Sequence, residues 1–426
     1  MGLKRSPSWL TFAALSLLFF LVNAGTFNSL GVVLPAMVGE LHWSWAVAGA
    51  GFTILGVACG LSSFLPALLI RRLGVRAVML LGGLLLVIGF VVLARTHRSW
   101  SYLLATALLG VAFALTSTVP GTHVLTGLFK RRATVLGAYF TIGALGGVAG
   151  PLIYMALHAA HQGWRSFWVV FVAASALAGG LAVATTPGRQ AQEAPPAVPP
   201  EQLEPAEVVH GLGDWTVRRA LRSWQYYVIV GAYSVYLLIN TTTHGFAVEH
   251  LVERGVDARA AAAMLSLEAL TGAALAIVGG VLGEKIPAKW LMIAALTATT
   301  LGMAGLAEAR GWDLMLVYVF GMGMGFGLSF LAATMLLLDY FGKRANLELY
   351  SIMSVISTSA AAGPAFGGWA RDAMGSFSGM FLFCAAVAVA MLAVACFLAP
   401  PSADGRRKGR RARAPVQAEL HPETPM

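Results

Sequence analysis

Twelve long apolar segments run through this chain, and no other feature constrains its fold as strongly. Each offers about 20 mostly apolar residues, which is the length that a helix needs to cross a membrane. We expect helices because lipid offers no partner to an unpaired backbone group. The predicted spans are residues 9–37, 46–70, 77–94, 101–126, 133–158, 164–186, 224–246, 259–282, 290–308, 312–338, 347–370 and 376–399.

The composition excludes a large soluble protein. Of the 426 residues, 58% are apolar and 11% are charged, whereas soluble domains have about 45–50% apolar and about 25% charged residues. The 19 acidic and 29 basic side chains are too few to cover several soluble domains. The chain is therefore predicted to be an all-α polytopic membrane protein with twelve transmembrane helices, and the lipid bilayer is expected to contact most of its surface.

The basic residues predict the orientation of these helices. Most of the 29 Lys and Arg residues fall in parts of the chain on the side that holds both termini, and such parts favour the cytoplasm. The predicted location is the cell membrane with both termini cytoplasmic, and the short loops and arginine-rich composition favour a bacterial inner membrane. Because the charge of +10 has this origin, no nucleic acid is expected as a partner.

A polar segment divides the chain near its middle. Residues 187–222 are rich in proline and charge and predict a cytoplasmic linker that ends in a short surface helix. Six segments precede it in a bundle of residues 1–186, and six follow it in residues 223–400. Residues 401–426 form a basic cytoplasmic tail, which is either a contact for anionic lipid or an added topology signal.

The fifth and eleventh segments share a pattern that indicates duplicated halves. One begins after Lys130 and reaches Pro151, and the other begins after Lys343 and reaches Pro364 at the same separation. Both carry closely spaced small residues, GALGGVAGP and STSAAAGPAFGG, which allow helix backbones to approach closely. Duplicated halves with a site between them are the usual design of secondary transporters.

Two loop signatures carry a family resemblance. The sequence ALLIRRLGVR follows the second segment and matches the pattern Gly-x-Leu-x-Asp-Arg-x-Gly-x-Arg at Arg72, Gly74 and Arg76. Arg71 stands at the position of the acid, and GVLGEK after the eighth segment has Glu284 there. With the twelve segments and the linker, these signatures resemble the major facilitator superfamily. The resemblance implies two pseudo-symmetric six-helix bundles that rock about a central site.

Three further stretches are similar to the monocarboxylate transporter-like group of that superfamily, which includes the oxalate/formate antiporter-like proteins. They are NSLGVVLP at 28–35, RRLGVRAVMLLGG at 71–83 and GPAFGGWARDAMGSFSGMF at 363–381. The resemblance implies a lysine at the position of Asn28 and an arginine at that of Ala276. Since both cations are missing, a weak acid, a neutral compound and a cation all stay open as solutes.

Ionisable side chains inside the spans are functional candidates, because a charge at the centre of a bilayer costs roughly 2.5–3.5 kcal/mol. Glu268 in the eighth segment is the leading candidate for proton coupling, since apolar surroundings disfavour a charged carboxyl. An inter-helix hydrogen bond is the alternative. His244 and His123 are further proton-coupling candidates, because neutral histidine can relay a proton, although both could be ordinary interface residues.

Uncharged polar side chains in the spans are candidates for solute contacts. The resemblance implies a substrate contact at Asn28 in the first segment, and Asn240 and Thr241 occupy a comparable place in the seventh. Ordinary helix–helix hydrogen bonding is the alternative for each. The aromatic residues that could line the cavity, or equally pack between helices, are Tyr139, Tyr233, Tyr236 and Phe326.

Charged residues near the cytoplasmic ends of the helices predict a gate. Arg72 and Arg76 follow the second segment, and Asp339 follows the tenth. A pair between these groups would hold the inner gate closed in the outward-facing state. Topology alone is the alternative explanation of the two arginines.

Several classes of function are disfavoured by what the sequence lacks. The three cysteines lie in apolar stretches, and no Cys/His spacing predicts a metal site or a cofactor. No nucleotide-binding or hydrolase motif is present, and GMGMGFG at 321–327 is a helix-packing pattern. We therefore expect no enzyme, although a membrane enzyme and a non-transporting receptor are the rival classes.

These features together predict a monomeric secondary active transporter that works by alternating access. Its partners are a small organic solute, a monocarboxylate or related metabolite, and a proton or counter-ion. The alternative is a proton-driven efflux antiporter for a neutral or cationic drug or metabolite.

Overall fold

The computed structural model describes residues 8–129, 132–187, 215–283 and 285–401. Within these ranges all regular secondary structure is helical, which confirms the predicted all-α fold. Most of the predicted linker, the basic tail after residue 401, and Glu284 lie outside the described residues.

The N-terminal half contains nine helices in its described part. They are α1 (Ser8–Gly25), α2 (Phe27–Leu41), α3 (Trp45–Ser62), α4 (Leu65–Leu73), α5 (Val75–Ala94), α6 (Ser99–Thr116), α7 (Thr118–Leu128), α8 (Arg132–Ala159) and α9 (Trp164–Thr185).

The C-terminal half follows a short helix of the linker. The elements are α10 (Val217–Ala220), α11 (Trp224–Glu253), α12 (Ala258–Gly283), α13 (Ala288–Glu308), α14 (Trp312–Ser357), a 3-10 turn (Thr358–Ala362), α15 (Gly363–Met374) and α16 (Ser378–Cys396). Helix α14 changes direction at Gly342, whose φ of 74° is accessible to glycine at little cost. The tenth and eleventh spans are therefore joined without a loop.

Eleven helical stretches in the described ranges are long and apolar enough to cross a membrane. The helix at the remaining predicted position, α11, is 30 residues long. Asn240, the three threonines that follow it and His244 make α11 more polar than its neighbours. This helix packs on α2 of the other half, where a Cβ at Gly31 of α2 would overlap with the backbone oxygen of His244.

Two of the predicted spans break at a single polar residue near their middle. Thr26 separates α1 from α2, and Ser117 separates α6 from α7, each with non-helical backbone angles. In both residues the side-chain hydroxyl donates to a carbonyl four residues earlier, at 2.6 Å. Such local bonds compete with the helical pattern and bend helices. Hydropathy alone predicts continuous helices here, because it does not register these side-chain bonds.

Hydrogen bonds at the helix ends define two sides of the molecule. In the N-terminal half, Thr11 Oγ1 donates to Thr185 O at 3.0 Å, which joins the start of α1 to the end of α9. In the C-terminal half, Lys289 Nζ donates to Cys396 O at 2.8 Å near the chain's end. We call the side that holds these two bonds the terminal side. The opposite side, which holds the α2–α3 and α15–α16 connections, is the far side.

Small residues of α8 bring it against the first span, in agreement with the predicted role of GALGGVAGP. A Cβ placed at Gly146 would overlap with the backbone oxygen of Phe20. A Cβ at Gly150 would lie 2.5 Å from Ala24 O. Contacts this short explain why glycine is required at these two positions of α8.

The two halves are joined on the far side. The Asp372 carboxylate at the end of α15 accepts hydrogen bonds from the backbone N–H groups of Trp45, at 3.1 Å, and Ala46, at 2.8 Å. These groups begin α3 of the other half, where free N–H groups favour a negative charge. The Trp45 ring also packs on Phe246 and Phe377, with ring centroids 6.0 and 5.3 Å apart. The far side is therefore closed in this conformation.

Asp372→Ala is expected to shift the protein away from this far-side-closed form. Removal of a helix-capping oxygen costs about 0.5–2 kcal/mol. Because this bond joins the two halves, its loss is expected to change the closed-to-open ratio about 2- to 30-fold. The distance between spin labels on the two halves measures this shift.

The labels can be placed at Gln162→Cys and Arg310→Cys, two exposed positions on the far side. Asp257→Ala is the matched control, because Asp257 accepts from Arg259 N at 2.9 Å and caps α12 within one half. An unchanged distance distribution in Asp372→Ala would contradict the proposed role of Asp372.

Candidate functional site

A cavity of about 30 Å³ lies between the two halves. This volume accommodates one or two water molecules, so the cavity is closed to an organic solute in this conformation. Four of the predicted residues, Asn28, His244, Glu268 and Phe326, lie on its wall together. The lining residues are Asn23, Asn28 and Ala144 from the N-terminal half and His244, Glu268, Ala269 and Phe326 from the C-terminal half.

Glu268 is the acidic group of this cavity and has 1% of its surface exposed. Its Oε2 accepts a hydrogen bond from the Tyr318 hydroxyl at 2.5 Å, whereas Oε1 is buried without a partner in the described residues. Close packing of α14 on α12 places the two side chains together. A Cβ at Gly323 would lie 3.0 Å from the backbone oxygen of Glu268, so the glycine run of α14 permits this contact.

His244 reaches the cavity from α11. Its Nδ1 lies 2.9 Å from the backbone oxygen of Asn240, one helical turn earlier. Since a carbonyl oxygen can only accept, Nδ1 carries a hydrogen and the neutral ring leaves Nε2 as an acceptor. His244 and Glu268 line the same cavity.

Asn23 and Asn28 face the cavity from the two sides of the break at Thr26. Asn23 Nδ2 donates to Phe19 O at 3.1 Å, and Asn28 Nδ2 donates to Asn23 O at 3.0 Å. Both acceptors are backbone carbonyls, so the orientation of both amides is determined. Each asparagine thus has its carbonyl oxygen left for a ligand.

Five other predicted contact residues are not among those that line the cavity: Asn240, Thr241, Tyr139, Tyr233 and Tyr236. The Thr241 hydroxyl donates to Leu237 O at 2.8 Å. Asn240 Nδ2 is buried without a partner in the described residues. Tyr139 is fully buried and stacks on Phe19 with ring centroids 4.8 Å apart. The roles of these residues in solute binding stay predictions.

Tyr139→Phe is expected to lower stability without changing solute affinity. The Tyr139 hydroxyl donates to the carbonyl of Ser117 at 3.0 Å and so satisfies the break between α6 and α7. Loss of one such bond lowers the free energy of unfolding by about 0.5–1.5 kcal/mol. Thermal unfolding in detergent and the KM of transport check this, and a raised KM at unchanged stability would contradict it.

The remaining predicted residues are exposed and lie away from the cavity. His123 lies on α7, and Asp339 lies in α14 just before the bend at Gly342. Arg72 and Arg76 lie at the connection of α4 and α5 on the terminal side. The predicted gate pair belongs to the opposite conformation, in which the terminal side is closed, so it stays a prediction.

Tyr318 and Asp372 were missed by the sequence analysis. Tyr318 is the hydroxyl-bearing residue in the apolar run LMLVYVFG, and Asp372 lies in the stretch that carries the family resemblance. Neither sequence indicates the partner, because Tyr318 acts through α12 and Asp372 through α3 of the other half. In the part of the chain that is described, no cluster of three His, Cys, Asp or Glu residues could hold a metal ion.

Comparisons with known proteins place this architecture. The chain is similar to two solved structures of the nucleoside transporter NupG, one of them a mutant form. The mutant structure is 13% identical with a TM-score of 0.73, and the match covers 92% of this chain and 100% of that one. The other is 14% identical with a TM-score of 0.73, covering 92% and 99%. Likeness at this identity shows the fold alone.

Sequence comparisons identify the family. No curated protein matches the chain. The sequence profile of the Major Facilitator Superfamily matches residues 15–251 and 234–422. It does not distinguish subgroups, so the likeness to the monocarboxylate transporter-like group stays a prediction. Because the profile covers most of the sequence, the chain belongs to the major facilitator superfamily and is a multi-pass membrane transporter of a small molecule, not an enzyme.

Proposed function

We propose that this protein is a proton-coupled secondary transporter of a small organic solute, with Glu268 as the proton carrier. The observation that carries this proposal is the buried Glu268 carboxyl, which lines a cavity between the halves and whose Oε1 has no partner in the described residues. A buried carboxylate without a cation beside it is energetically unfavourable. Each arrival or departure of a solute can therefore be linked to loss or gain of a proton.

Alternating access supplies the cycle. Contacts of α3 with α15 close the far side, so solute next enters or leaves the cavity from the terminal side. With both termini in the cytoplasm, as the distribution of basic residues predicts, that exchange is with the cytoplasm. Rocking of the two halves then opens the cavity to the opposite compartment. We propose that the protein works as a monomer and that its membrane is a bacterial inner membrane.

A monocarboxylate is one candidate solute. The sequence resemblance supports it, and protonated His244 on the cavity wall would supply a positive charge. Among the described residues, no Lys or Arg lines the cavity. Efflux of a neutral or cationic compound by exchange with protons is the other candidate, and the same carboxyl favours it. The NupG structures carry no argument about the solute at their low identity.

Uptake into proteoliposomes under imposed pH gradients of both signs tests the proposed function. The solutes are lactate, oxalate, uridine and 2-phenylethylamine, and protein-free liposomes correct for weak acids and amines that cross lipid as neutral species. We expect saturable flux of at least one solute that reverses with the gradient. Saturable flux that ignores the pH gradient would show a uniporter and overturn the proton coupling.

A further inference from the structure

We infer that the cavity binds its solute through an N–H-bearing cationic group, a primary or secondary amine, whose contact is Oε1 of Glu268. This inference rests on the proposed transport function and deepens it by naming the solute class. It follows from the hydrogen-bonding groups that the cavity wall leaves free.

The asparagines offer mainly acceptors. One N–H of Asn23 and one of Asn28 are already taken by backbone carbonyls. Each asparagine therefore has two groups left for a ligand: Oδ1 with its two lone pairs, and one N–H. Asn28 Oδ1 also lies against α8, since a Cβ at Gly147 would be 3.0 Å from it. This contact leaves the amide little room to turn over.

The wall contributed by the C-terminal half adds two more acceptors. His244 donates from Nδ1 to Asn240 O, which leaves Nε2 as an acceptor in the neutral ring. Glu268 adds Oε1. A carboxylate ligand would meet several acceptors, and no arginine or lysine of the described ranges lines the cavity. An ammonium group supplies two or three donors and a compensating charge, and bonds to a charged group are the strong ones.

Tyr318 decides which oxygen of Glu268 takes part. Its hydroxyl donates to Oε2, and both side chains are buried. A proton that arrives at the carboxyl therefore binds Oε1, the oxygen that an ammonium group would also use. Protonated Oε1 becomes a donor and no longer accepts from the amine. The two ligands thus exclude one another, which links amine movement to proton movement in the opposite direction.

The groups near this carboxyl come from four helices, α1, α2, α11 and α14. Tyr318 donates to it from α14, and His244 lines the same cavity from α11. Asn23 and Asn28 lie on the same cavity wall from the other half. A sodium ion also binds oxygen ligands, but the imidazole of His244 suits a hard cation poorly. Sodium is therefore an outcome of the test and not the proposal.

Binding to the purified full-length protein in detergent tests the ligand class. Titration calorimetry measures the binding of four probes: 2-phenylethylamine, its N,N,N-trimethyl derivative, 3-phenylpropionate and sodium chloride. We expect the primary amine to bind at least about tenfold more tightly than the trimethyl compound, which has the charge but no N–H. Tighter binding of the carboxylate, equal binding of the two cations, or heat from sodium alone would each overturn the inference.

Proton release tests the role of Oε1. Titrations in two buffers of different ionisation enthalpy count the protons released when the amine binds, and we expect up to about one per site below neutral pH. Glu268→Gln should release none. Tyr318→Phe should release fewer, because Oε2 then becomes free to hold the proton beside the bound amine. Unchanged release in Tyr318→Phe would overturn the positioning role.

Tyr226→Phe is the matched control for this series. Its hydroxyl is also buried in the C-terminal half and donates to Leu349 O at 3.0 Å, far from the cavity. We expect wild-type affinity and proton release in this variant. Because these titrations use no gradient, failure of the amine to bind leaves the proposed proton-coupled transport to be tested separately by flux.

Discussion

Glu268→Gln is expected to abolish solute accumulation driven by a pH gradient while exchange of labelled for unlabelled solute persists at saturating concentration. Glutamine retains the size of glutamate but cannot take up or release a proton. One pH unit corresponds to about 1.36 kcal/mol, so one coupled proton supports about tenfold accumulation per unit. We expect this ratio to fall to about one in the variant. Radiolabelled solute in proteoliposomes measures both quantities.

The matched control is Asp313→Asn. Asp313 is an exposed carboxyl at the start of α14, the helix that also carries Tyr318. This variant removes a negative charge of the same half without touching the cavity, and accumulation should stay at the wild-type ratio. If accumulation persists in Glu268→Gln, Glu268 is not the residue that carries the coupled proton.

Gly31→Val is expected to prevent closure of the far side and to lower transport strongly. A Cβ at Gly31 of α2 would overlap with the backbone oxygen of His244 in α11, and a backbone atom cannot turn away. Overpacking of this kind costs about 1–3 kcal/mol, which changes an equilibrium about 5- to 150-fold. Because each transport cycle must pass through the closed form, we expect flux to fall by a similar factor.

Gly39→Val separates this effect from a general effect of valine in α2. A Cβ at Gly39 would meet no atom within 4 Å, so the control should retain wild-type flux. The spin labels at Gln162→Cys and Arg310→Cys should report a longer distance in Gly31→Val alone. If Gly31→Val had wild-type flux and an unchanged distance, the contact between α2 and α11 would not be required for closure of the far side.

The sequence predicted the helices well because lipid imposes a simple rule of length and apolarity. It did not predict the break at Thr26, since a side-chain hydrogen bond to Val22 O leaves no mark on hydropathy. It also joined residues 46–70, which the structure divides into α3 and α4 just before Pro66. Local backbone chemistry, rather than composition, determines these features.

The candidate site was predictable in part, for a related reason. Glu268, His244 and Asn28 stand out as polar groups in apolar segments, and the structure brings them to one cavity. Tyr318 could not be paired with Glu268, because that contact depends on the rotation and packing of α14 against α12. Asp372 could not be assigned for the same reason, since its partners lie in the other half.

The most direct test of the account is a proton flux driven by the solute itself. Proteoliposomes carry a pH-sensitive dye inside, begin at equal pH on both sides, and receive a gradient of the transported solute. The account predicts a change of internal pH in the wild-type protein and none in Glu268→Gln, although solute still exchanges in the variant. Solute movement through the wild-type protein with a constant internal pH would contradict it.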